Sequence, residues 1–377
     1  MPITESLSPQ LLAWFDRHAR DLPWRRSSDP WAILISEVML QQTRAEVVTG
    51  YFPRFLKRFP TPDALAKSTD EELLSAWAGL GYYRRARNLR EAARQIVEQH
   101  DGRVPAGFRA ILSLPGVGRY TAGAVSSIAF GERQPVVDGN VARVLSRLFL
   151  VAGDFRSGGV ARQLWELAGQ LLDPKRPGDH NQALMELGAL ICLPRSPRCL
   201  QCPLTRRCQA RKSARIEQYP TPRQARPTVP VRMAAVAIRK GRQIALVKRA
   251  KGGLMEGMFD LPAIEIGPEE DARAPLELWL KDRFGITIRG LEPIGVIRHT
   301  VTHRRITANL FAAVLAGTES ASLIRETAED PAAGHGVAPA ADEQGIRFFR
   351  VEQVAGLGLS ALGRKLLALA GIAPPKS

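Results

Sequence analysis

Two carboxyl groups, Glu37 and Asp138, stand in local sequences that predict different protonation states. Glu37 lies in the apolar-rich run 33–40, and on a helix it would share a face with Leu34 and Val38. A carboxyl group on an apolar face loses hydration, which raises its pKa and keeps a proton available near neutral pH. A surface glutamate that merely follows apolar neighbours is the alternative interpretation.

Asp138 directly precedes Gly139 and Asn140, where a helix is predicted to begin, so it is a candidate N-cap. The free N–H groups and the dipole of a helix stabilise a charged carboxylate at that position. One protonated and one ionised carboxyl group are what cleavage of a glycosidic bond requires: an acid for the leaving group and an anion facing an oxocarbenium-like centre. A purely structural N-cap is the alternative.

All four cysteines fall within 17 residues, in the spacing C-x6-C-x2-C-x5-C. They are Cys192, Cys199, Cys202 and Cys208. Four thiolates in one loop can hold a metal centre, and iron–sulfur clusters and zinc both accept such a set. A reducing compartment disfavours the alternative, a disulfide pair. The spacing alone leaves iron–sulfur and zinc both open.

The segment 114–118, Leu-Pro-Gly-Val-Gly, separates two predicted helices. Gly116 and Gly118 let the backbone turn tightly and approach another molecule. The next helix is predicted to begin at Arg119, so its unpaired N–H groups could bind a phosphate oxygen. An ordinary helix–helix turn is the alternative.

The chain has 377 residues and a formal net charge of +16, with 45% hydrophobic and 24% charged residues. This composition excludes disordered and fibrous proteins and predicts two or three globular domains. Residues 1–230 carry +12 of the charge and residues 231–377 carry +4. A basic N-terminal part favours a polyanionic partner such as nucleic acid, and an arginine-rich soluble surface is the alternative.

The hydrophobic pattern divides the chain into two regions of different periodicity. Residues 1–212 are predicted to be helical, with a long helix over 31–48 that Asp29 caps. The other predicted helices cover 70–78, 86–99, 119–130, 140–151, 160–172 and 182–191. The proline-rich stretch 213–230 is predicted to be an extended connector with little burial.

Residues 231–377 are predicted to form one α/β or α+β domain. Strands are predicted over 231–239, 243–249, 291–298 and 305–316, with helices over 275–284 and 360–370. We expect a mobile loop over 317–345. No secretory signal and no membrane span are visible, so we expect a cytoplasmic protein of bacterial type.

Four segments together resemble the MutY family of adenine-specific mismatch DNA glycosylases, which belong to the helix-hairpin-helix, endonuclease III superfamily. In chain order they are SEVMLQQT at 36–43, GLGYYRRARNL at 79–89, LPGVGRYTA at 114–122 and VDGNV at 137–141. The spacing of the four cysteines matches the family as well. No one of these motifs is specific alone, but all of them in this order are.

The resemblance implies a multidomain fold: an all-α helix-hairpin-helix glycosylase domain with a 4Fe–4S cluster loop, and a C-terminal α/β Nudix-like domain. The helical region would cover 1–212 as a six-helix subdomain with the hairpin plus a cluster subdomain. The connector would be 213–230, and 231–377 would recognise 8-oxoguanine. The resemblance also implies one 4Fe–4S cluster per chain on the four cysteines.

The resemblance further implies base-excision repair of double-stranded DNA, in which adenine opposite 8-oxoguanine or guanine is flipped out and hydrolysed. Glu37 would protonate N7 of adenine, and Asp138 would stabilise the cation that develops at C1′. Tyr120 and Asn140 would support these carboxyl groups by hydrogen bonding. The endonuclease III branch carries a Schiff-base lysine where Tyr120 stands, and tyrosine has no amine nucleophile, so we expect a monofunctional hydrolase.

Several further contacts follow from the same resemblance. Gln42 and Tyr82 match positions that intercalate beside 8-oxoguanine, and the residues expected to line the adenine pocket are Trp24, Arg25 and Leu40. The remaining residues expected to contact DNA are Thr43, Gly116, Gly118, Thr302 and His303. In the recognition loop, Val301 and Thr302 stand where the family usually has Phe and Ser. We expect a monomer.

Three other functions are compatible with parts of the sequence. A pyrimidine-lesion glycosylase/lyase of the endonuclease III type is disfavoured by Tyr120 and by the additional C-terminal domain. A non-catalytic DNA-binding scaffold would not need both carboxyl groups. A Nudix nucleotide hydrolase would need a glutamate-rich helix to hold Mg²⁺, and no R-E-x-x-E-E run occurs in the sequence.

Overall fold

The computed structural model describes residues 7–221, 227–249, 257–301, 303–316, 325–326 and 345–372. The chain forms two compact units, and each is described by itself below. The first unit consists of Met1–Thr69 and Arg85–Gln224, and the second of Asp70–Arg84 and Ala225–Ser377. The boundaries at 212 and 230 stay a prediction. In the described ranges, no helix is both long and apolar enough to cross a membrane.

Residues 7–221 are helical throughout their described secondary structure, as the sequence predicts. The helices are α1 (Leu7–His18), α2 (Pro30–Leu40), α3 (Ala45–Arg58), α4 (Pro62–Ala66), α5 (Asp70–Trp77), α6 (Arg84–Gln99), α7 (Phe108–Leu112), α8 (Arg119–Phe130), α9 (Gly139–Phe149), α10 (Gly158–Leu171), α11 (Pro177–Leu190) and α12 (Gln209–Lys212). Short 3-10 helices lie at Pro23–Arg26, Cys199–Gln201 and Ile216–Gln218. Of these elements, α5 belongs to the second unit.

Helix α2 begins where the sequence predicts, because the Asp29 carboxylate accepts hydrogen bonds from the N–H groups of Trp31 (3.1 Å) and Ala32 (3.3 Å). Pro30 occupies the first helical position, where its missing N–H costs nothing. Every residue from Trp31 to Met39 is buried, so α2 is a central helix with almost no solvent-facing side.

The predicted continuation of this helix to residue 48 is wrong, because α2 ends at Leu40 and α3 begins at Ala45. The cause is tertiary: the buried Arg85 guanidinium donates to the carbonyl oxygens of Val38 (3.0 Å) and Met39 (2.8 Å). It also donates to the carbonyl of Gln41. These carbonyls would otherwise accept the N–H groups of the next helical turn.

The N-terminal helix α1 returns to pack with helices from much later in the chain. Leu7, Leu11 and Trp14 share one hydrophobic core with Leu145 of α9 and Leu184 of α11. The same core continues to partly buried cysteines of the four-cysteine loop. The chain therefore closes on itself around α11, and the loop that carries the cysteines is anchored to that core.

Helix α11 lies unusually close to its neighbours at two glycines. A Cβ at Gly178 would lie 2.6 Å from the Ser127 carbonyl of α8, and one at Gly188 would lie 2.5 Å from Asn140 Cβ of α9. Between them, the buried Asn181 side chain donates to Gln134 O (2.8 Å) and accepts from the Val136 N–H (3.2 Å). The segment that leads into Asp138 is thus fixed to α11.

Helix α11 starts at Pro177, one turn before the predicted start at 182, because proline fits the first helical position. The connector prediction of little burial is wrong at Tyr219, which is 6% exposed. Its carbonyl accepts from Arg147 Nε (2.8 Å) and its hydroxyl accepts from Arg215 (3.0 Å). Two arginines therefore hold the end of this helical unit in place.

The second unit contains a mixed sheet with the strand order β5-β6-β1-β2-β8-β7, in which β3 pairs with β2 and β4 with β1. The strands are β1 (Val229–Lys240), β2 (Gln243–Lys248), β3 (Phe259–Asp260), β4 (Ala263–Ile266), β5 (Ile288–Val301), β6 (Arg304–Leu315), β7 (Arg325–Glu326) and β8 (Ile346–Arg350). Helices α13 (Arg273–Phe284) and α14 (Ala361–Leu369) complete it. Strands β1 and β6 are parallel, and β5 and β6 are antiparallel.

The alternation along β1 explains why both faces of this sheet are covered. Ala235 and Ala237 face a core that includes Leu366 of α14, whereas Val236 faces a core that includes Leu276 of α13. Burial on both sides is typical of α/β proteins, and it agrees with the predicted class. The predicted strands and helices are all present here, with ends that differ by a few residues. The predicted mobile loop 317–345 lies outside the described residues except for 325–326 and 345.

We expect Arg85→Met to lower the free energy of unfolding by roughly 2–4 kcal/mol, because it leaves buried carbonyls of α2 without a donor. Urea denaturation followed by far-UV circular dichroism would measure the change. Arg109→Met, which alters an exposed arginine of α7, is the matched control. Equal stability of the two variants would contradict the role of Arg85 in ending α2.

Candidate active site

The first unit contains a cavity of about 340 Å³ that collects side chains from distant parts of the sequence. Its walls come from α2, α8, α11, the start of α9 and the 3-10 helix Pro23–Arg26. The predicted site residues that line it are Trp24, Arg25, Glu37, Leu40, Thr43, Tyr120, Asp138 and Asn140. A cavity of this size is in the usual range for sites that bind small organic groups.

Glu37 is 4% exposed, and its Oε2 has no hydrogen-bond partner among the described residues. Burial raises the pKa of Glu37 to about 7, a hydrogen bond from Tyr120 lowers it in part, and the nearby charge of Asp138 raises it further. The predicted rise in this pKa is confirmed. A protonated carboxyl group therefore faces the cavity near neutral pH.

The Tyr120 hydroxyl lies 3.1 Å from the sulfur of Met185 on α11. Burial, followed by the charges of Glu37 and Asp138, raises the pKa of this phenol well above its usual range. Tyr120 is therefore a neutral hydrogen-bond donor in the site. It has no means of acting as an amine nucleophile.

Asp138 is the N-cap of α9, as the sequence predicts, and accepts from the Val141 N–H at 2.7 Å. Its other oxygen accepts from Asn140 Nδ2 at 3.0 Å. Burial raises the pKa of Asp138 above its usual value, although these hydrogen bonds oppose the rise. The N-cap position by itself predicts a lowered pKa, and that expectation is wrong because the loss of hydration at the half-buried Asp138 outweighs the hydrogen bonds of the cap.

Asn140 is held in one orientation by Arg143, whose Nη2 donates to Asn140 Oδ1 at 2.8 Å. Arg143 also donates to the carbonyls of Gly188 (2.8 Å) and Cys192 (2.7 Å). The Asn140 amide nitrogen is consequently directed to the carboxylate of Asp138. The close approach of α9 and α11 at Gly188 makes this arrangement possible.

Four residues of the cavity wall, Arg20, Gln182, Met185 and Glu186, were not singled out from the sequence. Three of them lie on one face of α11, at the i, i+3 and i+4 spacing of a helix. Gln182 and Glu186 are the polar residues of the apolar-rich stretch 182–190, and their i, i+4 spacing is a signal that could have found them. Arg20 carries no such local signal, because its partners come from α3 and α11.

The other predicted residues do not line this cavity. Gln42 has φ 57° and is exposed, and Tyr82, in the second unit, has φ 49° and is 51% exposed. Left-handed backbone in a residue other than glycine is uncommon and is often found at functional sites. His303 is exposed in the turn between β5 and β6, and Thr302 lies outside the described residues.

The predicted hairpin is a tight connection between α7 and α8. Gly116 has φ 75°, and a Cβ at this position would lie 2.5 Å from Asn88 Cβ of α6. Gly118 is the N-cap of α8, so the first N–H groups of that helix stay open to a ligand. A glycine is therefore required at 116 both for its backbone conformation and for the contact with α6.

The four cysteines surround a small cavity of about 30 Å³ and are free thiols. Arg147 Nη1 lies 3.4 Å from Cys192 Sγ. Burial raises the pKa of Cys202 to about 12 and also raises the pKa of Cys208, and nearby cysteine charges contribute to both. Among the described residues, no three His, Cys, Asp or Glu side chains form a site for a single metal ion.

Two family models match the chain. Residues 35–170 match the HhH-GPD superfamily of base excision DNA repair proteins, and residues 233–369 match the NUDIX domain. The first match contains Glu37, Tyr120, Asp138 and Asn140. The helical unit and the sheet-containing unit therefore correspond to the two predicted classes of domain.

Among solved structures, the chain resembles a thermostable thymine-DNA glycosylase, with 35% identity and a TM-score of 0.51 over 55% of this chain and 95% of that one. It is 38% identical to the adenine DNA glycosylase of Homo sapiens over 81% of this chain and 66% of that protein. It is 35% identical to the adenine DNA glycosylase of Rattus norvegicus over 83% of this chain and 71% of that protein. Because the chain covers 71% of the Rattus norvegicus protein at 35% identity, it belongs to the adenine DNA glycosylase family.

Proposed function

We propose that this protein hydrolyses the N-glycosidic bond of adenine mispaired with 8-oxoguanine or guanine in double-stranded DNA. The observation that carries this proposal is a pair of carboxyl groups on one cavity of the helical unit, the buried Glu37 and the half-buried Asp138. Membership of the family supports adenine as the base. The thymine-DNA glycosylase named above has a similar helical fold, so the fold alone does not select the base.

In this proposal Glu37 delivers its proton to N7 of an adenine seated in the cavity. Protonation makes the base a neutral leaving group, so that the bond to C1′ breaks with less charge separation. A pKa of about 7 for Glu37 leaves much of the acid form present near neutral pH. Trp24 and Leu40 supply apolar contacts to the base, and Arg25 supplies hydrogen-bond donors.

Asp138 then stabilises the oxocarbenium-like cation at C1′, or bonds to it, until water completes the hydrolysis. The hydrogen bonds from Val141 and Asn140 stabilise the anionic form and hold its oxygens in place. The charge of one carboxylate also favours the protonated form of the other. The two groups are thus suited to different roles.

Adenine reaches such a cavity only after rotation out of the helical stack, which costs a few kcal/mol. The exposed Gln42 has a left-handed backbone and is suited to fill the space that the base leaves. For Tyr82, the proposed contact beside 8-oxoguanine rests on its sequence motif alone. Thr43, Gly116 and Gly118 would contact the backbone of the DNA. The net charge of +12 on residues 1–230 supports attraction to phosphates.

The C-terminal unit is proposed to recognise 8-oxoguanine rather than to hydrolyse nucleotides. His303, exposed in the turn between β5 and β6, offers a hydrogen-bonding group for a base edge, and a threonine hydroxyl such as that of Thr302 has the same chemical ability. The sequence has no R-E-x-x-E-E run of the kind that a Nudix hydrolase needs to hold Mg²⁺. Tyr120 supports a monofunctional hydrolase, because a Schiff base at C1′ needs an amine.

We propose that the four cysteines hold one 4Fe–4S cluster. The donor set fits, since four free thiols surround one small cavity beside the cationic side chains of Arg147 and Arg211. A thiol must lose its proton to bind metal, so loading of the cluster would release protons. The core shared with α1 and α9 would position the cluster loop.

Glu37→Gln should reduce adenine release by roughly 100-fold or more, because glutamine has no proton to transfer and general acids typically contribute this much. Single-turnover assays on duplexes with A:8-oxoguanine, A:G and a thymine-glycol control would measure the change. Glu98→Gln, in an exposed glutamate of α6, is the matched control. Retained turnover with Glu37→Gln, or preferred cleavage at thymine glycol, would contradict the proposal.

Excision should fall as the pH rises above about 7, because the pKa of free Glu37 is about 7 and only its acid form donates a proton. A general base would give the opposite trend, an excision rate that rises with pH. Excision rates measured between pH 5 and 9, at enzyme concentrations well below saturation, would show this decrease, which forms the alkaline limb of the pH profile. A rate that stays constant up to pH 9 would exclude Glu37 as the acid.

Purified protein should contain about four irons per chain, because all four cysteines converge on one cavity. Elemental analysis of the purified protein would measure this content. Cys199→Ser should lose iron and lower the unfolding midpoint, whereas a serine introduced at the exposed Leu200 should do neither. Fully active protein that carries zinc and no iron would contradict the cluster.

A further inference from the structure

Glu186 lies on α11 with 1% of its side chain exposed, and it binds two arginines of the cavity wall. Arg20 donates to it from Nε (2.8 Å), Nη2 (2.9 Å) and its backbone N–H (3.0 Å). Arg25 Nη2 donates to Glu186 Oε2 at 3.0 Å, the same oxygen that accepts from Arg20 Nη2. Burial alone would raise the pKa of Glu186, but the hydrogen bonds from Arg20 and Arg25 lower it to about 2.

Every donor of Arg25 that has a partner in the described residues points along the wall and not to Glu37. Besides Glu186, its Nη1 donates to the Arg20 carbonyl (3.0 Å) and its Nε donates to Gln182 Oε1 (3.2 Å). The guanidinium also lies 5.3 Å from the ring centre of Phe15. Its plane and position are therefore fixed.

The charge of Arg25 nevertheless acts on Glu37. Besides Glu186, the charged or titratable groups that line the cavity around Glu37 are Arg20, Arg25, Arg44, Glu46, Tyr120 and Asp138. Of the two arginines that Glu186 binds, Arg25 is the one whose charge lowers the pKa of Glu37. A direct ion pair with Arg25 would convert Glu37 to its anion, which has no proton to give.

We propose that Glu186 is a positioning residue that holds Arg25 against the cavity wall and prevents it from pairing with Glu37. The inference rests on the proposed function insofar as Glu37 is taken to be the acid. Glu186 does not contact the reacting atoms in this account. It acts through Arg25, and Gln182 and the Arg20 carbonyl complete the same tether.

The physical reason is competition between two carboxylates for one cation. Glu186 supplies a negative charge beside Arg20 and Arg25, so these three side chains present one net positive charge to Glu37 and not two. Without that charge, the half-buried guanidinium group of Arg25 would keep Gln182 and the Arg20 carbonyl as its described partners but no carboxylate, and it could pair with Glu37. An opposite charge within a few ångströms typically lowers the pKa of an acid by about 1–3 units.

Glu186→Gln tests the proposal because it preserves the shape of the side chain and removes its charge. The alkaline limb of single-turnover excision should move to lower pH by about one unit. Glu186→Asp should keep most of the wild-type profile. Asp179→Asn is the matched control, since it removes one carboxylate from the same helix at an exposed ion pair with Arg176. An unchanged limb in folded Glu186→Gln would overturn the proposal.

Arg25→Gln provides the reverse test and remains informative if Glu186→Gln does not fold. Removal of this cation should move the alkaline limb to higher pH, whatever it does to the maximal rate. In the double variant Glu186→Gln/Arg25→Gln, the shift caused by Glu186→Gln alone should largely disappear. Additive shifts in the double variant would mean that Glu186 acts on Glu37 without Arg25 and would overturn the tether.

A stability measurement separates this proposal from the proposed function. The pKa of Glu37 is about 7 in the folded protein, and its ordinary value, taken for the unfolded chain, is 4.5. The protonated carboxyl group therefore contributes its full stabilisation below pH 4.5, and this contribution decreases as the pH rises to about 7. The difference in unfolding midpoint between Glu37→Gln and wild type should therefore increase with pH and become constant near pH 7. When both proteins also carry Glu186→Gln, this difference should become constant at a lower pH. The measurement does not depend on whether adenine is released. The same levelling point in both backgrounds would overturn the proposal.

Discussion

The removal of one carboxyl group from water underlies the chemistry of this protein. Glu37 sits in a helix that is buried on nearly all sides, and a rise in its pKa from 4.5 to about 7 disfavours the anion by about 3 kcal/mol. Such a group weakens the fold at neutral pH, because the unfolded chain ionises freely. Other parts of the helical unit must compensate for this cost, which is a common feature of active sites.

Helix α11 supplies much of that compensation and also completes the site. Its two glycines allow it to approach α8 and α9 closely, and its buried Asn181 fixes the segment before Asp138. The same helix presents Met185 to Tyr120 and Glu186 to two arginines. Stability and site geometry are therefore provided by one element, so substitutions on its inner face would affect both.

Much of the fold and part of the site could be predicted from sequence. The period of the apolar residues identified most helices and strands, the Asp29 and Asp138 caps marked two helix starts, and the cysteines were found by spacing. The end of α2 could not be predicted, because it depends on Arg85, which is 44 or more positions further along the chain. The partners of Arg20 and Arg25 were missed for the same reason.

The amino-acid sequence by itself determined which residues are available: an acid on an apolar helix, an aspartate before a helix, four close cysteines and two glycines in a hairpin. It determined these because periodicity, caps and turns are local properties. Only the tertiary structure decided how deeply Asp138 is buried, and burial outweighs the local effect of the cap on its pKa. It also decided which carboxylate binds Arg25, because pairing between distant charges depends on how helices pack.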